Sequence, residues 1–305
     1  MRPARFGVLL LSLFVSVSAW CQQTTNPVQA FPPPGLPGLA SSGPAQPQQL
    51  PTAGQGTAFL QRALAAQTAG STIKDVTMTG TTTILVNPQT KEKQTGTISI
   101  TLASGERSQA VVNLPSGART MTRSVSNGIA SAKSVGPDGV SVAAPSQTAL
   151  SPHPYNAFPA MLLNVGLSSS GNLSSHVGPE TRNGTPVEHI AVWRIPNGAS
   201  PTDAGKYPGF QRATEHEIYL DPATLLPTAL TFYLHPFDAK NPKRPIVPYR
   251  NSQVDALEEI RYSDYRLVQG TPVAFHMEIY IRNVLVQEIQ LSSVAFNTGA
   301  TISGN

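Results

Sequence analysis

Six histidines, His153, His176, His189, His216, His235 and His276, are the first place to look for chemistry in this chain. Two of them stand beside carboxylates, in "VEHIAVW" and "TEHEIYL". A metal ion wants imidazole and carboxylate groups converging on one point. Both stretches alternate as strands do, however, and neighbours on a strand point to opposite faces. Glu215 and Glu217 then face away from His216, and no metal site is expected. The pair Glu258-Glu259 is divided between two faces for the same reason, which suits surface solubility better than acid–base work. The serines of "GLSSSGN" at 166–172 lack the strand-to-helix context of a nucleophile elbow and read as a loop. Cys21 is the single cysteine, so neither a disulfide nor a thiol nucleophile is available beyond it. With no glycine-rich phosphate loop either, no cofactor and no catalytic residue is indicated, and the chain is expected not to be an enzyme. A hydrolase with a dispersed site would need a pocket holding a His and a carboxylate within hydrogen-bonding reach.

The elements that would position any site are mostly strands. "TAFLQRALAAQT" at 57–68 places Phe59, Leu60, Ala63 and Leu64 on one helical face, with Thr57 as its cap and Gly70 beyond its end. "DVTMTGTTTILVN" follows, with Val76, Met78, Gly80 and Thr82 on one face and Thr77, Thr79, Thr81 and Thr83 on the other. A run of strand-like segments to about residue 145 is punctuated by Asn127-Gly128 and Asp138-Gly139, the strongest hairpin signals. "PHPYNAFPAMLLNVGL" then reads as a second helix or pair of helical turns. From Asn172 onward strands return, and Val273, Phe275, Met277 and Ile279 give one of them an apolar face. The last strand is expected to bulge near Ser292-Ser293. In "EIYLDPATLLPTALTFYL", Asp221 and Pro222 set a tight turn between two apolar strands. Asn172-Leu-Ser174 and Asn183-Gly-Thr185 match the glycosylation sequon, which matters only in a eukaryotic source.

Composition places these elements in an exported protein. Arg2 and Arg5 precede "FGVLLLSLFVSVSA", an apolar run that ends in small residues. That is the pattern of a signal peptide over residues 1–21, with Val17 and Ala19 suited to the cleavage site. Trp20 stands where a lipoprotein signal carries a small residue, so a lipid anchor at Cys21 is not expected. Residues 22–56, rich in Pro, Gly and Gln, read as a disordered linker, and 57–305 as one domain. The net charge of +4 is scattered apart from "KNPKRP", with no basic stripe or nucleic-acid motif, so nucleic acid is not expected as a partner.

The segments "YLDPATLLPTAL", "EEIRYSDYRLVQGTPVAFHMEIY" and "VAFNTG" carry a resemblance. Through Tyr219, Leu220, Asp221, Pro222, Thr224, Leu226, Pro227, Tyr262, Tyr265, Gly270, Phe275, Phe296 and Asn297 the chain resembles the LolA-like superfamily of outer-membrane lipoprotein-sorting proteins, most closely its uncharacterised secreted relatives. The resemblance implies an α+β, mainly antiparallel fold: a curved half-barrel sheet with short helices covering its concave side, enclosing an apolar cavity that holds acyl chains in some members. Strand parity and helix face assign the lining to Leu60, Leu64, Phe158, Met161, Leu162, Val273, Phe275, Met277 and Ile279. The expected protein is a periplasmic or secreted, non-enzymatic binder of a lipid or other apolar ligand. The alternative is an envelope scaffold of the same fold with a filled core and a protein partner.

Overall fold

The computed structural model describes residues 55–104, 107–126, 129–143, 155–168, 172–195, 199–200, 202, 206, 214–234 and 256–302. The signal segment, Cys21, most of the linker, His153, His235, the Asn127-Gly128 dipeptide and "KNPKRP" lie outside them. The described chain runs α1 (Gln55–Thr68), β1 (Val76–Asn87), β2 (Glu92–Ala103), β3 (Arg107–Leu114), β4 (Gly117–Ser126), β5 (Ile129–Val135) and β6 (Ser141–Ala143). A 3-10 turn, Tyr155–Ala157, leads into α2 (Pro159–Ser168). Then follow β7 (Asn172–Arg182), β8 (Thr185–Arg194), β9 (His216–Leu220), β10 (Pro227–Leu234), β11 (Ala256–Val268), β12 (Thr271–Ile281) and β13 (Val284–Phe296). Gly166 and Leu167, common to the helical reading of "PHPYNAFPAMLLNVGL" and the loop reading of "GLSSSGN", belong to the last turn of α2 together with Ser168, because Leu163 and its neighbours bury an apolar face that holds the helix together.

All the strands form one open antiparallel sheet in the order β6-β5-β4-β3-β2-β1-β13-β12-β11-β10-β9-β8-β7. The chain meanders outward from β1 to β6, passes through α2 to the opposite edge, and meanders back until β13 closes against β1. Two-residue turns with both φ angles positive join β7 to β8 at Asn183-Gly184, β11 to β12 at Gln269-Gly270, and β12 to β13 at Arg282-Asn283. These backbones match the twist of the strands they join, so the sequon at Asn183 is also a hairpin turn.

The sheet is a curved half-barrel. Ser292 is the extra residue between the pairs Thr79↔Ser293 and Gly80↔Leu291, the bulge expected from the sequence, and Val286 is a second one against β12. Backbones pass so close on the inner side that a Cβ on Gly80 would collide with the Gln290 carbonyl, and one on Gly96 with that of Asn113. The outer face over β1, β2 and β13 is a polar ladder, with Thr79 bonded to Ser293 at 2.7 Å and Thr83 to Thr95 at 2.9 Å.

The family-like motifs turn out to be fasteners. Asp221 Oδ1 accepts hydrogen bonds from the amides of Ala223 and Thr224 and from the Thr224 hydroxyl, closing the β9–β10 turn. The Tyr265 hydroxyl donates to the Pro227 carbonyl at 2.6 Å, and the Tyr262 hydroxyl to the Asn156 carbonyl at 2.6 Å. Asn297 accepts from the Lys74 amide and donates to the Thr72 carbonyl, tying the end of β13 to the approach to β1.

Candidate functional site

The concave face is built by parity. Directly paired residues share a face, so the register carries one apolar row from Ile190 through Ile218, Leu230, Ile260 and Ile279. On the other side of the β1–β13 seam the same face continues with Met78, Ile98, Ile100, Ala110 and Val112. All of these except half-buried Ile279 are buried, and they belong to one continuous apolar cluster. α1 and α2 lie against this face, touching β7, β12 and each other. α1 presents Phe59, Leu60 and Ala63, all buried, and ends at Gly70, whose left-handed backbone suits a helix terminus. The helix starts at Gln55, so Thr57 lies in its first turn rather than capping it.

All nine residues assigned to the lining fall within this cluster. Leu60, Phe158, Met161, Leu162, Val273, Phe275 and Met277 are buried members, while Leu64 and Ile279 are half-buried against it. Phe158 reaches Phe296 with ring centroids 5.6 Å apart, so the segment before α2 spans to the β13 end of the floor.

Beyond this apolar packing, ring and polar contacts also attach the helical cover. The Phe59 ring stacks on His176 at 4.2 Å, and His176 Nε2 is 2.7 Å from Glu188. Gln67 Nε2 donates to the Leu225 carbonyl at 3.4 Å, and the Thr271 hydroxyl to the Thr68 carbonyl at 3.4 Å. Tyr262 holds the 3-10 turn through Asn156.

Polar groups on the concave face were not anticipated. Glu258 and His216 flank Phe232 on neighbouring strands, and all three are buried. Burial pushes the Glu258 carboxyl up to about 8, so it is mostly a neutral acid at pH 7. His216 Nδ1 lies 2.8 Å from the Thr214 carbonyl, which fixes that nitrogen as the donor. Glu258 and Glu259 do face opposite ways, but neither is solvated. Glu259 is buried on the convex side, paired with Arg182 at 3.1 Å and Arg261 at 2.9 Å. The signal was present in "ALEEIRYSDY": Glu258 alternates with Ile260 and Tyr262, which places it on the apolar face.

The convex face carries the chemistry of two more of the described histidines, His189 and His276. His189 bonds to Glu217 and lies 3.3 Å from Glu180, with Tyr219 stacked on its ring at 4.6 Å. The histidines therefore take their carboxylates from neighbouring strands and not from the adjacent residue in sequence. Burial alone would depress His189, but the hydrogen bonds and charges of Glu217 and Glu180 raise it above its ordinary value. Among the described residues no group of three or more His, Cys, Asp or Glu is placed to hold a metal. Farther along, Ser263 Oγ lies 2.8 Å from His276 Nδ1, and His276 Nε2 lies 3.0 Å from Glu288. This is a Ser-His-Glu chain of hydrogen bonds on the convex face, and Asp264 beside it is ion-paired with Arg266 at 2.6 Å.

No family model matches the chain, and no curated protein matches it by sequence. Among solved structures, a domain from Vibrio parahaemolyticus named for outer membrane lipoprotein sorting has a TM-score of 0.50 at 16% identity, over 82% of this chain and 95% of that one. The fold is LolA-like. A DUF1329 family protein from Desulfovibrio piger has a TM-score of 0.49 at 12% identity, covering 82% of this chain and 95% of its own. For a LolA superfamily protein from Nitrosomonas europaea the values are 0.45 and 9%, over 79% and 93%. At such identities the likeness is one of fold. In this LolA-like sheet the concave face is the apolar side and the helices are its cover. No described helix is long and apolar enough to cross a membrane.

Proposed function

We propose that this chain is an exported, non-enzymatic protein that binds a lipid or another apolar ligand on the concave face, beneath α1 and α2. The carrying observation is the mismatch between floor and cover. The apolar floor extends from β8 to β3, whereas the described cover consists of one helix of 14 residues, one of 10 and a 3-10 turn. The helices meet the floor through apolar side chains, and an acyl chain entering beneath them would replace those same contacts. In this reading Leu60, Leu64, Phe158, Met161 and Leu162 are the movable wall, and Val273, Phe275, Met277 and Ile279 the fixed one.

The fold likeness supports the reading, since the Vibrio protein is named for lipoprotein sorting. The scaffold alternative draws less support from the sheet edges. At one edge β6 is only three residues long, and at the other β7 carries Gly178 at a register shift followed by Pro179, features that blunt strand addition. Native mass spectrometry of the exported protein, followed by organic extraction, tests the proposal. A stoichiometric acyl-chain species is the expected result; a clean protein that also takes up no apolar fluorophore would refute it.

A further inference from the structure

Two arginines lie on the concave face of β4. Arg119 is paired with Val112 and Arg123 with Ser108, while Met121 between them faces Ala110. Val112 and Ala110 pair in turn with Ile98 and Ile100, so both guanidiniums border the apolar floor. Arg119 is only 7% exposed, yet its Nε and Nη2 have no hydrogen-bond partner. The surrounding burial lowers its affinity for the proton, but a guanidinium keeps its charge at neutral pH. A buried cation with open donors is costly unless an anion or another acceptor fills them.

The two open nitrogens share one edge of the guanidinium, the edge that meets both oxygens of a carboxylate or phosphate in parallel bonds. On the rungs beside it this face carries Val112 and Leu114 of β3 and Ser134 of β5, none of them acidic. At the same end of the sheet the Ser116 hydroxyl and Gln94 Oε1 are also buried without partners. Ser116 lies in the β3–β4 turn and Gln94 near the start of β2, so the hydroxyl supplies a further donor on that side.

From this geometry we infer that Arg119 is the anion subsite of the ligand site, so that the ligand is an anionic amphiphile. Its chain lies on Ile98, Ile100 and Val112, and its carboxylate or phosphate is received by Nε and Nη2 of Arg119. The inference rests on the apolar-ligand reading above and deepens it.

The test is displacement of a neutral reporter, N-phenyl-1-naphthylamine, from the exported protein by dodecanoate, dodecyl phosphate and dodecanol. All three are twelve-carbon amphiphiles, with the carboxylate carbon of dodecanoate counted among its twelve, so they differ chiefly in the head. At least one anion is expected to compete about tenfold or more better than the alcohol, and the better of the two identifies carboxylate or phosphate. Arg119→Gln should erase that preference while leaving dodecanol unchanged, and Arg119→Lys should restore part of it. Arg119→Met should raise the Tm of the ligand-free protein, since it removes an open buried charge. Equal competition by all three heads in the native protein, or a uniform loss in Arg119→Gln, would overturn the anion subsite and leave the apolar site standing. A fall in Tm for ligand-free Arg119→Met would overturn it too, by making Arg119 a structural residue. If the reporter does not bind and no amphiphile shifts the Tm, the apolar-ligand reading fails and this inference with it.

Discussion

Replacing Glu258 by Gln should stabilise the protein, and increasingly so as pH rises. In the folded chain this buried carboxyl titrates at about 8, against an ordinary value of 4.5. At pH 7 the unfolded chain holds it ionised, whereas the folded chain holds it protonated. Folding must therefore take up a proton, against a gradient of about 2.5 pH units between 4.5 and 7. At about 1.4 kcal/mol per unit this costs roughly 3 kcal/mol, a burden that a neutral amide of the same shape does not carry. The sign is that of a raised acid: stability is greatest below about 4.5, falls as pH rises, and levels off once pH passes about 8. Urea denaturation of both proteins at pH 5, 7 and 9 reads this directly. The Gln advantage should be below about 1 kcal/mol at pH 5, about 3 at pH 7 and approaching 5 at pH 9. For a domain of this size the value at pH 7 corresponds to a Tm rise of about 6–12 °C. An advantage that does not widen with pH, or a Gln variant less stable at every pH, would show that the carboxyl is not buried as an acid and would refute the reasoning.

Other perturbations probe other parts of the sheet. His189→Gln should cost most below pH 6.5 and progressively less as pH rises through the raised folded value, because the contribution of a raised histidine is present in acid and lost in base; denaturation across pH 5 to 9 measures it. Leu163→Ala removes a fully buried side chain of α2 and should cost about 2–5 kcal/mol in the same assay. Asn297→Gly keeps the left-handed backbone but loses two side-chain hydrogen bonds, for a loss of about 1–3 kcal/mol. Gly80→Ala forces a Cβ against the Gln290 carbonyl where β13 bulges, and circular dichroism should show the sheet lost or its Tm sharply lowered.

The sequence by itself determined the strands, their faces and several of their turns. Alternation in "DVTMTGTTTILVN" separated Met78 from the threonine ladder, and the twofold period of a strand makes such a division local. Asp221 and Pro222 were legible because a turn is satisfied by atoms a few residues away, whereas the partners of Asn297, Lys74 and Thr72, come from the other end of the described chain. The bulge at Ser292 showed as a break in the same alternation. Parity and helix face also led to nine residues that join the apolar cluster, since an apolar stripe has only one side of a sheet to join.

Only the tertiary structure decided which strands became neighbours and what each polar residue faced. Closure of β13 on β1 joins residues more than two hundred positions apart, and no local period encodes that pairing. Glu259 reads as a surface acid until the fold brings Arg182 to it from another strand. Glu258 and Arg119 read as ordinary charges until the folded chain buries them. Whether a charged side chain is solvated, paired or held without a partner is a property of its surroundings in space, and the surroundings exist only after the sheet has closed.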